Sequence, residues 1–155
     1  MIKVLFLCHG NICRSPMAQY VFLYLVGRRG LTDCFEIDSA ATSTEEIGNR
    51  VHHGTRGKLH QMGIPCGDHR ARQICRADYD RYDYLIGMDE WNMRNMRRML
   101  GDDPEGKMYR LLDFTERKGA DIADPWYTGN FDVTYEDVVE GCEGLLEHIL
   151  KEDMV

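Results

Sequence analysis

No CxxC pair occurs among the six cysteines of this 155-residue chain, and that absence removes the usual zinc-site spacing. No apolar run approaches a membrane span either. The opening "MIKVLFLCHG" turns polar after six apolar-type residues, too short even for the apolar region of a secretory signal. The chain is therefore expected in the cytoplasm, off the membrane, where the redox poise keeps cysteines as thiols. Cys34, Cys66, Cys75 and Cys142 are expected as small buried or semi-buried side chains. Positive charge is also short: 19 Lys and Arg against 26 Asp and Glu give a formal net charge of −7. That balance argues against nucleic acid or an anionic membrane as the main partner, because binding phosphate backbones needs a basic face. Arg94, Arg97 and Arg98 are expected as a solvated helix face. Internal repeats and low-complexity tracts are missing too. The length suits a single domain, 1–155, acting as a monomer with no metal and no cofactor.

Apolar runs that suit strands fall at Ile2–Leu7, Phe35–Ala40, Tyr82–Met88 and Met108–Leu112, separated by stretches of helical period. The alternation predicts an α/β fold, a three-layer sandwich around a four-stranded parallel sheet, with helices on both faces. The first helix is predicted to start with Ser15 as N-cap and Pro16 at the first position, with Gly30 just past its end. The last is predicted from about Val133 to Leu150, with Thr134 and Asp137 as a capping box. Gly141 and Gly144 each lower its propensity by roughly 1 kcal/mol, so packing must hold it. The stretch from Asp113 to Asp132 reads as irregular and too long for a mere connector.

Between the first strand and the first helix lies "LCHGNICRSP". From Cys8 to Arg14 the spacing lets a turn wrap a tetrahedral oxyanion, with backbone N–H groups pointing inward and the positive end of a helix beneath. A phosphate is the natural guest. Arg14 supplies a two-pronged clamp that Lys cannot reproduce. Gly10 and Asn11 suit the left-handed backbone such a nest requires. The same field favours the thiolate of Cys8, which becomes a nucleophile aimed at phosphorus. Ser15 can donate its hydroxyl to that sulfur. Cys13 is either filler or a resolving thiol that protects an oxidised Cys8. Breaking a phosphate ester also calls for an acid on a mobile loop, and "ADPWYTGNF" offers Asp124. Trp126 and Tyr127 beside it are either anchors for that loop or a wall for a flat substrate ring.

Taken together, "VLFLCHGNICRSPMAQYVF", "IDSAAT", "HRARQI", "DYLIGMDEWN" and "DPWYTGNFDVTYEDVVEGC" resemble the low-molecular-weight protein tyrosine phosphatases over the whole chain. The resemblance implies Cys8 as nucleophile, Arg14 as phosphate clamp, and Asp124 as general acid and later base. His9, Gly10, Asn11, Ile12, Cys13 and Ser15 then form the phosphate loop. It also implies that Ser39 and His69 hold the asparagine's strained conformation, where sequence chemistry alone reads them equally as a strand-end hydroxyl and a surface imidazole. Phosphotyrosine proteins or small aryl phosphates are the implied partners. Three positions depart from the pattern. His9 stands where many relatives carry Leu or Thr, reaching the pocket rim or lying in solvent. Glu45 and Glu46 replace an Asp-Trp pair, making that cleft wall acidic. Trp126–Tyr127 replaces paired tyrosines.

Three rivals share the scaffold. A thiol-linked arsenate reductase needs a second cysteine pair downstream, and none lies between Arg76 and Cys142. A phosphoarginine phosphatase resembles this loop but has Thr where this chain has Ile12, whose methyl-rich side chain suits an aromatic ring. A non-catalytic phosphoprotein-binding module would tolerate losing Cys8 or Asp124, and both are present.

Overall fold

The computed structural model describes residues 1–153. Four strands, β1 (Ile2–Cys8), β2 (Phe35–Ala41), β3 (Tyr84–Gly87) and β4 (Met108–Arg110), form one parallel sheet in the order β2-β1-β3-β4. The expected α/β fold is present. Strand alternation explains the layers: Val4 and Phe6 face one side of β1, Leu5 and Leu7 the other, and all four are fully buried. On the first side they meet Phe22 and Val26 of α1 (Arg14–Arg28), and Val138, Leu145 and Ile149 of α6 (Phe131–Glu152). On the other they meet Tyr79 of α3 (Arg76–Arg81) and Met93 and Met96 of α4 (Glu90–Leu100). The remaining helices are α2 (His53–Gln61) and the short α5 (Pro125–Thr128).

Strand order reverses between β1 and β3, so a crevice opens beyond their carboxyl ends, where ligands bind in such sheets. Cys8 ends β1, and Asp89 begins the turn into α4 just after β3.

Several boundaries correct the sequence reading. The first helix starts at Arg14 with Cys13 as N-cap, because Ser15 turns its hydroxyl and its N–H toward Cys8 instead of capping. Gly30 does follow the helix end, at φ 68°. The last helix starts at Phe131, with the Asn130 side chain accepting from Val133 N–H; Thr134 bonds the Ala123 carbonyl, so the Thr134/Asp137 box does not form. The third strand is only Tyr84–Gly87 and the fourth only Met108–Arg110, since Tyr82 and Leu112 leave the hydrogen-bonded ladder. The stretch Asp113–Asp132 is mostly irregular, as expected, and is broken only by the end of a 3-10 turn (Leu111–Phe114), the single turn of α5 and the first residues of α6. Cys75 is exposed, not buried: Ile74 turns into the core, and Cys75 begins the exposed run Cys75–Ala77 at the start of α3.

The two glycines of α6 have a packing reason. A Cβ on Gly141 would lie 2.4 Å from Leu111 Cγ, and one on Gly144 would lie 2.2 Å from the Phe114 carbonyl oxygen. The helix sits directly on the Leu111–Phe114 turn, a close approach only glycine permits.

Candidate active site

The loop that leaves β1 turns at Asn11, whose φ of 60° is left-handed. Such a conformation costs a non-glycine residue about 1–2 kcal/mol, and the Asn11 side chain is held by four bonds. Its Nδ2 donates to Ser15 Oγ at 2.8 Å and Ser39 Oγ at 2.9 Å. Its Oδ1 accepts from His69 Nε2 at 2.7 Å and from the Arg72 N–H at 3.2 Å. The His69 bond puts a ring proton on Nε2. Burial pushes the His69 pKa down, against the pull of Asp38, whose carboxylate is 3.5 Å from Nδ1. Ser39 in turn donates to Gln19 Oε1. Ser39 and His69 thus both hydrogen-bond the Asn11 side chain.

Since Ser15 Oγ accepts from Asn11, its own proton is free for Cys8 Sγ, 3.0 Å away. The sulfur also receives the N–H groups of Asn11 at 3.3 Å and Ser15 at 3.4 Å. Three donors and the amino end of α1 converge on one buried sulfur, an environment that stabilises negative charge.

Arg14 is almost completely buried, its side chain 2% exposed. Its Nη1 donates to Asp89 Oδ2 at 2.6 Å and to the Ile122 carbonyl at 2.9 Å, and Nη2 faces Asp124 Oδ2 at 3.4 Å. Burial opposes the guanidinium charge, but the Cys8 and Asp89 anions outweigh it and raise the pKa. Asp124 is the N-cap of α5, where Oδ1 accepts the Trp126 N–H at 3.1 Å and Pro125 fills the first helical position. The segment before it is tied down by Ile122 N–H to the Met88 carbonyl at 2.8 Å.

Cys8, Ile12 and Cys13 floor an open cleft of about 210 Å³. One wall is His9, Glu45 and Glu46, and the other is Asp124, Trp126 and Tyr127. His9 reaches the rim and bonds Glu45. Trp126 and Tyr127 are 56% and 82% exposed, so they wall the cleft from the solvent side instead of being buried in the core. Cys13 is buried, and burial, reinforced by the charge of Cys8, pushes its thiol up to about 12.

Sequence reasoning missed Asp89, Gln19, Asp38 and Arg72. Asp89 had a visible signal: a carboxylate at the end of a strand and three residues before Asn92, which reads as a helix cap. The structure uses both its oxygens, Oδ1 for the Asn92 N–H at 2.8 Å and Oδ2 for Arg14.

Residues 3–155 match the family model described as low molecular weight phosphotyrosine protein phosphatase. The chain is 44% identical over 98% of both chains to the low molecular weight protein-tyrosine-phosphatase YfkJ of Bacillus subtilis. The YfkJ crystal structure superposes with a TM-score of 0.95, at 43% identity, covering 99% of this chain and 97% of that one. PtpA of Staphylococcus epidermidis, also named a low molecular weight protein-tyrosine-phosphatase, is 35% identical over 98% of this chain and 96% of its own. The structure of a Drosophila arginine phosphatase matches with a TM-score of 0.87 and 32% identity, covering 98% of this chain and 100% of that one. With sequence and backbone in agreement from the first strand through the last helix, the chain belongs to the low molecular weight phosphotyrosine protein phosphatase family.

Proposed function

We propose that the protein hydrolyses phosphotyrosine, in proteins or as small aryl phosphates, through a cysteinyl-phosphate intermediate formed on Cys8. The observation that carries this reading is the convergence of Ser15 and Asn11 donors on Cys8 Sγ, in the cleft that Asp124 walls and beside the buried guanidinium of Arg14.

In the first step the Cys8 thiolate attacks phosphorus in line. Arg14 and the loop N–H groups hold the equatorial oxygens, where charge is spread in the transition state. The bond from phosphorus to the phenolic oxygen breaks as the Asp124 carboxyl gives that oxygen its proton. In the second step Asp124, now a carboxylate, takes a proton from water as the water oxygen bonds phosphorus. The sulfur–phosphorus bond breaks, inorganic phosphate leaves, and the Ser15 hydroxyl steadies the returning thiolate. Every proton and electron pair is supplied by the chain and the two substrates.

A tyrosine phenol, of pKa about 10, leaves more readily than a serine alkoxide. The Ile12 side chain and the exposed rings of Trp126 and Tyr127 offer apolar surface to such a ring. That chemistry favours a phosphotyrosyl over a phosphoarginyl substrate, and we read the protein as a cytoplasmic monomer. No described helix is long and apolar enough to cross a membrane. The test is turnover of an aryl phosphate in EDTA by the parent, Cys8→Ser and Asp124→Asn. The parent is expected to keep full activity in chelator, Cys8→Ser to fall to background, and Asp124→Asn to lose about 10²–10⁴-fold on phosphotyrosine. Activity retained without the Cys8 thiol refutes the reading.

A further inference from the structure

We propose that His52, which does not line the cleft, is a positioning residue that sets the Asp124 carboxyl through the ring of Trp126. The inference rests on the role of Asp124 given above.

Helix α5 has four residues, too few to hold a shape unaided. Asp124 caps it by accepting the Trp126 N–H, so the carboxyl goes where Trp126 goes. The Trp126 ring in turn bears edge-on against His52, with centroids 5.6 Å apart and planes at 75°.

His52 itself is half-buried and held by several contacts. Its ring stacks on His53 at 4.2 Å and on Phe131 at 5.5 Å. Phe131 packs closely over Gly54, where a Cβ would lie 2.3 Å from the ring. His52 Nδ1 accepts the Gly54 N–H at 3.0 Å and so caps α2. Its backbone N–H donates to the Ile12 carbonyl at 2.8 Å, inside the phosphate loop. One residue thus bonds the loop that carries the nucleophile and bears on the segment that carries the acid.

The cap works only with Nδ1 unprotonated, because an imidazolium has no acceptor. Burial, with His53 and Arg56 as like charges, pushes the His52 pKa down, against the pull of Glu46. The neutral, capping form is the one the surroundings favour.

The experiment compares His52→Asn, which keeps an oxygen to cap Gly54 but removes the ring, with His52→Phe, which keeps the ring but removes the cap. Each is assayed on phosphotyrosine and on a fluorinated aryl phosphate whose phenol leaves without help. A misplaced acid slows only the substrate that needs protonation. His52→Asn should lose about ten- to a hundredfold in kcat/KM on phosphotyrosine, the scale of an ångström-sized misplacement, and little on the fluorinated ester. His52→Phe should stay near the parent's ratio between the two substrates. Adding His52→Asn to Asp124→Asn should cost nothing further, since residues acting as one unit are non-additive. An equal loss on both substrates, a multiplicative loss in the double variant, or a His52→Phe as selective in its loss as His52→Asn overturns the proposal. If Asp124→Asn alone shows no dependence on the leaving group, the assigned role of Asp124 fails instead, a result distinguishable from failure at His52 alone.

Discussion

Removing the negative charge of Asp89 while keeping its shape isolates the anchor of Arg14. In Asp89→Asn, the oxygen that caps α4 by accepting the Asn92 N–H can remain, but an amide NH2 replaces the oxygen 2.6 Å from Arg14 Nη1 and cannot accept. The guanidinium is left with the Ile122 carbonyl at 2.9 Å and Asp124 at 3.4 Å. A charge-assisted hydrogen bond contributes about 1.5–3 kcal/mol. Stranding a buried charge outright costs about 3–5 kcal/mol, but Asp124 shares the load and keeps the loss near the lower range. Asp89→Ala forfeits the helix cap as well, about 1 kcal/mol more. For a chain of this length, 1.5–3 kcal/mol corresponds to a melting-temperature fall of about 3–12 °C. Urea titrations and thermal melts of parent, Asn and Ala variants, with and without inorganic phosphate, measure all of this. Phosphate should restore part of the Asn variant's loss, because the anion satisfies the guanidinium that the carboxylate no longer pairs. An Asn variant within 0.5 kcal/mol of the parent, or one that phosphate does not help more than it helps the parent, refutes the reasoning.

Gly144→Ala should destabilise despite alanine's better helix propensity, since its Cβ meets the Phe114 carbonyl at 2.2 Å; Gly57→Ala in α2, with nothing within 4 Å, should instead stabilise by up to about 1 kcal/mol in urea unfolding. Cys13→Ser should turn over normally but recover poorly in dithiothreitol after peroxide, with a Cys8–Cys13 bridge found by peptide mapping of the oxidised parent. Cys13 is held as the thiol, pushed up to about 12 by burial and then by the charge of Cys8; oxidising Cys8 to the neutral sulfenic acid removes the smaller of these causes, and attack by Cys13 forms the disulfide with its proton and the sulfenic hydroxyl leaving as water. For His69, burial depresses the folded pKa below the ordinary value of 6.5. The folded state then binds fewer protons than the unfolded, so its contribution to stability is complete above about pH 6.5 and declines as pH falls toward the lowered value. Unfolding measured at pH 7.5 and 5.5 should show that decline, and His69→Gln should flatten its share of it.

The opening loop was legible because its chemistry is local: nucleophile, turn residues and clamp lie within eight residues, bounded by a strand and a helix whose patterns are plain. Asp124 was legible because Asp-Pro ahead of two aromatics is rare in a polar segment. Asp89 was not, because its partner lies 75 residues away and an aspartate before a helix already has a sufficient explanation as a cap. Gln19 and Arg72 look like ordinary polar positions until Ser39 and Asn11 meet them. The misplaced start of the first helix has the same origin. Ser15 followed by proline reads as a cap, yet its hydroxyl has a tertiary partner that outcompetes the local one. The glycines of α6 signalled weakness by propensity and proved to mark where the helix lies directly on the Leu111–Phe114 turn.

The weld between α6 and the Leu111–Phe114 turn makes the segment that carries Asp124 a module with fixed ends. It leaves α6 at Phe114, returns to the same helix at Asn130, and is clipped to Met88 and Arg14 through Ile122. The exposed run Glu116–Gly119 lies before that clip, tied to Arg110, Asp113 and α6 by its own bonds, so extra residues inserted there exchange those bonds for a longer surface loop on the far side of the clip from the acid, at an added closure entropy that grows only logarithmically. A docking element added at that run is thereby separated from the chemistry at Asp124 by the Ile122 bonds.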